Sequence, residues 1–185
     1  MLFVILFLSK YCLAQDIADK KFEQFYQDDI LKANGIQVVN FWASWCKPCI
    51  VELPYFEKIN SEMGSDNFKV CLVNLDFNSK FRGAATDFIK NKKIKSKVVH
   101  INDTDPNEWI NKVDSSWSGA IPATLIYVNG QKVFFKEGEM SYEELKAEIL
   151  KAENKQNKKY EKANWNSYGD CITAIYFASD VCAGL

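Results

Sequence analysis

Two mostly apolar runs, Ile36 to Trp42 and Phe68 to Phe77, read as strands; Val70-Cys71-Leu72-Val73 in the second suits a parallel strand covered on both faces. Between them, Lys47 to Met63 carries Ile50, Leu53, Phe56 and Ile59 at helical spacing, and Gly64 closes that helix. Pro54 inside it predicts a kink. Upstream, Ile17, Phe22, Phe25, Tyr26 and Ile30 predict a helix over 17–33, stopped at Asn34-Gly35. Downstream, Arg82 to Lys92 reads as a helix with Phe88 and Ile89 inward, and Val98 to Ile101 as a short strand. Asp105-Pro106 opens a short helix holding Trp109, Ile110 and Val113. Ala123 to Val128 and Lys132 to Lys136 form strands joined at Asn129-Gly130, a hairpin signal. Ser141-Tyr142-Glu143-Glu144 is a capping box opening a helix to about Glu153. Alternating helices and strands with a closing hairpin predict an α/β fold: a central mixed sheet between two helical layers.

Composition narrows the class. The chain has 185 residues, 48% of them hydrophobic, enough for one cored domain. Lys+Arg 23 against Asp+Glu 24 leaves almost no net charge, so nothing here argues for a nucleic-acid partner and none is expected, and no long single-sign run suggests an interaction tail. Leu2 to Leu8 is apolar but too short to span a bilayer, and Cys12 and Ala14 fit a small-residue cleavage site before Gln15. This predicts a signal peptide over 1–14, although a basic n-region is missing. An uncleaved membrane anchor and a buried N-terminal strand are the alternatives. Lipidation at Cys12 is disfavoured by Lys10 and Tyr11 before it. Export sets a compartment where disulfides persist, so a reactive cysteine pair there turns over only if a partner resets it.

The chemistry concentrates in Asn40-Phe41-Trp42-Ala43-Ser44-Trp45-Cys46-Lys47-Pro48-Cys49. A strand ends in a short loop and a helix starts at or just after Cys46. Free N–H groups and the positive end of the helix dipole favour a thiolate there, and the thiolate is the nucleophile. Cys46 is the attacking candidate, exposed at the helix start. Cys49, half buried one turn in, is the resolving candidate. Pro48 suits a first helical turn. Glu52 falls one turn beyond Cys49 and can approach it from the same face; a solvent-facing helix glutamate is the alternative. A structural disulfide that never turns over is one alternative. A zinc site would need two more ligands, and His100 and Cys71 both read as strand residues.

The run Asn40 to Pro54, with its Trp, its CxPC and a proline five residues after the second cysteine, resembles the thioredoxin superfamily and, more narrowly, its TlpA/ResA-type members. The resemblance covers about Ile17 to Ala152. It implies the thioredoxin fold, with an insertion between its second strand and its hairpin. It implies an extracytoplasmic thiol–disulfide oxidoreductase, a class in which several members reduce apocytochrome c or other exported proteins. Partners would be disulfide-bearing or dithiol protein substrates and a membrane electron donor or acceptor, with no cofactor and no metal. Cys46 and Cys49 would form the redox-active disulfide. Trp45, Lys47 and Pro48 would line the substrate groove, with Lys47-Pro48 placed where the potential is tuned. Ile121-Pro122 would hold a cis bond opposite the CxxC, where the backbone pairs with a substrate strand. Glu52 would tune the pair and shuttle its proton. Asn40 stands where most cytoplasmic thioredoxins carry a buried acid, and an amide cannot take up a proton. A disulfide-donating oxidase and a thioredoxin-fold binding module without turnover remain open.

Trp42 is expected in the core, and Trp117-Ser118-Gly119 either in the core or on the groove's second rim. Cys71 reads as a buried apolar thiol and His100 as a satisfied strand residue. A thioredoxin-like domain over 15–154 is followed by an extension, 155–185, rich in Asn, Lys and Tyr before the apolar Ile172 to Phe177. Cys171 and Cys182 flank that run. On one continuous helix they would lie about 16 Å apart, so a disulfide between them requires the segment to turn back. The extension is either a loose appendage or a cover over an apolar surface or partner.

Overall fold

Asn40 and its neighbours sit on the central strand of a six-stranded sheet. The computed structural model describes residues 17–77 and 79–181, with the side chains of 79–82 and 162–181 left aside. The strands are β1 (Ala18–Lys20), β2 (Ile36–Trp42), β3 (Phe68–Asn74), β4 (Lys97–Ile101), β5 (Ala123–Val128) and β6 (Gln131–Glu137). Their order is β1-β4-β3-β2-β5-β6. The first four are parallel, while β5 runs antiparallel to β2 and β6 antiparallel to β5. This is the α/β mixed sheet that the pattern predicts.

Strand alternation divides the core into two faces. On one face of β2, Ile36, Val38 and Trp42 pack with Leu53, Phe56 and Ile59 of α2 (Lys47–Met63), Ala85 and Ile89 of α3 (Ser79–Lys92) and Leu145 and Ile149 of α5 (Tyr142–Val181). On the other, Val39 and Phe41 pack with Phe22 and Phe25 of α1 (Phe22–Phe25) and with Trp109 and Val113, the latter in α4 (Ile110–Val113). α1 continues directly into a π-helical stretch, Tyr26–Leu31. Asn129 and Gly130 both take positive φ, the geometry of a type I′ hairpin turn. Ser141 caps α5 by accepting the Glu144 N–H.

Several expectations change, and β3 ends at Asn74 rather than Phe77. The segment expected as one helix from Ile17 begins instead as β1, paired in parallel with β4 from Ala18↔Val99 to Lys20↔Ile101. Ile17 lies five residues before Phe22, off the helical stripe, and a three-residue edge strand is too short to show alternation. Its ties are polar: Asp19 to His100, and Lys20 to Asp29. The helix after β3 starts at Ser79 rather than Arg82. α5 runs on from the expected stop near Glu153 to Val181, so the expected division at 154/155 falls inside it. Residues 154–168 hold neither Gly nor Pro and many strong helix formers, so nothing there stops a helix already nucleated. α2 runs without interruption past Pro54. Among the described residues no helix is long and apolar enough to cross a membrane. The 1–14 segment, the Cys171 side chain and Cys182 lie outside the described residues.

Candidate active site

β2 delivers the Ala43–Trp45 loop to the first turn of α2, and Cys46 is the helix N-cap. Cys46 and Cys49 are joined by a disulfide. Cys46 Sγ accepts the Cys49 N–H at 3.3 Å, so sulfur occupies the place that a Ser or Asp oxygen takes at an ordinary N-cap. α2 has 17 residues, enough for its dipole to act on that sulfur. Lys47 and Pro48 fill the first two helical positions, both exposed.

Neither cysteine is open to solvent. Cys46 is 5% exposed and Cys49 0%, so the expected contrast of an exposed and a half-buried thiol is much narrower. The loop before β5 crosses the sulfur: the Ile121 carbonyl oxygen stands 3.7 Å from Cys46 Sγ. The Ile121–Pro122 bond is cis. Asp76 fixes the other side of the loop. This carboxylate, 2% exposed, accepts the Ser44 N–H at 3.0 Å and the Asn74 Nδ2–H at 3.2 Å. The carbonyl of Asp76 meets His100 Nε2 at 2.7 Å, while His100 Nδ1 meets Asp19 Oδ1 at 3.0 Å. His100 thus ties edge strand β1 to the residue that holds the loop.

Behind the disulfide lies a buried carboxyl. Glu52 is 1% exposed. Its Oε1 accepts from Asn40 Nδ2 at 2.7 Å and its Oε2 from the Met140 N–H at 2.8 Å. Burial raises its pKa from the usual 4.5 to about 7, against the lowering pull of the Met140 and Asn40 hydrogen bonds. Asn40 Nδ2 also donates to Thr124 Oγ1 at 3.2 Å, while Asn40 Oδ1, fully buried, has no partner among the described residues. Glu52 and Asn40 are therefore one unit, with a proton site poised near neutrality.

In front of the disulfide is an aromatic surface. Trp45, half exposed, pairs with Phe77 at 6.3 Å between ring centroids. A cavity of about 230 Å³ opens beside them, with Trp109, Trp117 and Ile121 in its wall. Trp117 is both core and rim: it is 3% exposed, touches Phe41 and lines the cavity. Trp42 is core. Burial pushes the Cys71 thiol up to about 12. Among the described residues no group of three or more His, Cys, Asp and Glu could hold a metal ion.

Asp76, Met140, Thr124 and Phe77 went unmarked in the sequence. Asp76 carries a weak signal, a carboxylate just past a buried strand and level with the site. Met140 acts through its backbone, which any residue supplies.

A mixed sheet in this order, with a disulfide at the N-terminus of the helix after its central strand and a cis-proline opposite, defines a thioredoxin-fold protein. A family model for redoxins matches residues 11–152, and the chain belongs to that family, within the thioredoxin superfamily. It is similar to the thioredoxin of Rhodospirillum rubrum, 38% identical over 64 residues, 35% of this chain and 57% of that protein. It is also similar to sporulation thiol-disulfide oxidoreductase A of Bacillus subtilis, 37% identical over 62 residues, 34% of this chain and 38% of that protein. These matches thus span about half or less of the relatives' length. The solved structure of StoA from Bacillus subtilis aligns with a TM-score of 0.51 and 28% identity, over 62% of this chain and 82% of that one. A thiol:disulfide interchange protein DsbE described as putative, from Chlorobium tepidum, aligns with a TM-score of 0.53 and 25% identity, over 65% and 82%.

Proposed function

We propose that the chain is an exported thiol–disulfide oxidoreductase working as a reductase on cell-envelope protein substrates. The observation that carries this reading is the Cys46–Cys49 disulfide at the N-cap of α2, with Glu52 buried one turn behind it. In the reduced protein the Cys46 thiolate, favoured by the Cys49 N–H and the helix dipole, attacks a substrate disulfide. An S–S bond forms between Cys46 and substrate, and the departing substrate sulfur takes a proton. Cys49 then loses its proton toward Glu52 and attacks Cys46 Sγ, releasing the second substrate thiol. Two electrons pass to the substrate and the disulfide seen here is the product. A dithiol donor, membrane-bound in this reading, must supply two electrons to reset it. The Ile121 carbonyl, 3.7 Å from Cys46 Sγ, supports a role for Ile121 and Pro122 in aligning a substrate strand. Trp45, Lys47 and Pro48 line the approach. The apolar Leu2–Leu8 run followed by small residues supports export.

Two measurements test this, in a chain with Cys12, Cys171 and Cys182 changed to serine. Cys49→Ser should trap substrates as mixed disulfides on Cys46. The Cys46–Cys49 potential, read by equilibration with redox buffers, should lie near thioredoxin's, about −270 mV. A value near about −120 mV would overturn the reductase direction in favour of a disulfide donor. A pair that neither glutathione nor dithiothreitol opens would leave a structural disulfide.

A further inference from the structure

The cavity beside Trp45 is not used by the exchange chemistry. It holds about 230 Å³, less than the roughly 300 Å³ at which small-molecule sites begin, so it suits one side chain rather than a free ligand. Its wall is mostly apolar, including Leu75, Ile101, Trp109, Trp117 and Ile121, with Asp103 and Thr104 among its polar residues. Asp103 is already engaged by the Phe22 N–H and by Lys21. Trp45 and Phe77 line the cavity, and they are two of the few large apolar side chains exposed among the described residues, Phe77 at 74%. Large exposed aromatics grouped at one concavity mark a recognition surface rather than the scatter of single apolar residues normal on a protein. The cavity also adjoins the reactive sulfur: Ile121 lines it and presents its carbonyl to Cys46.

We propose that this cavity is a specificity pocket for an aromatic side chain two residues from the cysteine of the disulfide being exchanged. The proposal rests on the oxidoreductase reading and names its substrate class: extended segments with an aromatic residue two places from the reacting cysteine. A strand laid along Ile121 with its cysteine turned to Cys46 advances about 3.3 Å per residue and returns to the same face every second residue, so the residue two places from that cysteine, about 7 Å along, is the one turned to the cavity's side. Its ring would continue the tilted packing that Trp45 and Phe77 already make. The segment from Thr104 to Ile110, between β4 and β5, forms the far wall and so sets the preference.

The test uses the full, reduced 185-residue chain. Probes are short glycine peptides with one cysteine in mixed disulfide with 2-mercaptoethanol, and with Tyr, Phe or Ala placed two residues before or two residues after that cysteine. Hydroxyethyl disulfide, which has no side chain to place, is the reference, and the Cys46→Ser chain supplies the blank for the other cysteines. Each turnover consumes one probe disulfide, releases two thiols and leaves Cys46–Cys49 oxidised. The aromatic probes in at least one series should react about tenfold faster than the alanine probe, the scale of one well-packed aromatic contact. Phe77→Ala, a change at an exposed residue outside the core, should bring that ratio close to one. Equal rates for aromatic and alanine probes in both series overturn the proposal and leave the pocket to another occupant, a second copy of this chain among them. A ratio that survives Phe77→Ala also overturns it. If hydroxyethyl disulfide is not reduced at all, the oxidoreductase reading itself falls, and the pocket proposal with it.

Discussion

Glu52→Gln should make the protein more stable at alkaline pH and much less so in mild acid. Burial raises the folded-state pKa of Glu52 from the usual 4.5 to about 7. Between those values the folded chain keeps a proton that the unfolded chain has released. Stability therefore falls as pH rises through that window, and the full cost of the buried charge is present above about pH 7. At about 1.4 kcal/mol per pH unit, the cost comes to about 3 kcal/mol. Glutamine never takes that charge. Its hydrogen bonds can also be met: the amide oxygen keeps the Met140 N–H and its NH2 turns toward Asn40. A half-turn of the Asn40 amide then presents Oδ1, which lacks a partner now, to both the substituted side chain's NH2 and the Thr124 hydroxyl. One unpaired atom is exchanged for another, so little is lost at low pH. Urea unfolding of both oxidised proteins at pH 5, 6, 7 and 8 measures the difference, expected to grow from about 1 kcal/mol at pH 5 to about 3 kcal/mol at pH 8. A difference that stays flat from pH 5 to 8 would refute the assignment of a neutral, buried carboxyl to Glu52.

Gly35→Ala should destabilise strongly. At φ +76 an added Cβ would stand 2.0 Å from the Asn67 carbonyl oxygen, a backbone atom that cannot move aside, and a loss of about 2 kcal/mol or more in chemical denaturation is expected. Asp76→Ala removes acceptors from the Ser44 N–H and from Asn74, so a stability loss of roughly 1–3 kcal/mol should come with faster alkylation of reduced Cys46 as the loop loosens. Unchanged alkylation would confine Asp76 to a structural part. Cys71, 4% exposed with its thiol pushed up to about 12, should escape iodoacetamide in the native protein and react only after unfolding; peptide mass mapping reads this directly.

Elements with both a period and a stop were readable in advance. β2 and α2 have their expected bounds, since Ile36–Trp42 is apolar on both faces and Lys47–Met63 runs from a proline-bearing first turn to Gly64. The Asn129-Gly130 hairpin was equally legible, because its turn demands positive φ. β1 was not. Three residues at a sheet edge carry no period, and what holds them comes from elsewhere in the chain: Val99 to Ile101 beside them, and Asp29 across from Lys20. The length of α5 was missed for the opposite reason. Its amphipathic signal fades after Ala152, yet helix persists wherever nothing breaks it, and the first glycine comes only at Gly169.

The site divides along a different line, between what side chains supply and what the backbone supplies. Cys46 and Cys49 stand out in the sequence because only cysteine gives a thiolate at that spacing, and Glu52 because it falls one turn beyond Cys49, although the spacing leaves its burial open. The groups that decide how those three behave are mostly main-chain. The Cys49 N–H lies on Cys46 Sγ, the Ile121 carbonyl faces the same sulfur, and the Met140 N–H holds half of the Glu52 carboxyl. A backbone group has no signature, so its place is fixed only by register. Asn40 is the informative exception. It lies on the same strand face as Val38 and Trp42, where apolar residues pack against α2, and a buried amide there is costly unless it is paired. Its pairing with Glu52 gives the reason for its presence. The polar residue on the strand orients the acid on the helix, and the proton site stands behind the cysteines on the element whose N-terminus carries them. A second acid in place of Asn40 would face Glu52 at hydrogen-bond distance, and the two would share one proton rather than offer two sites. With an amide in the strand, Glu52 is the one ionisable group of that pair and can titrate as a single site.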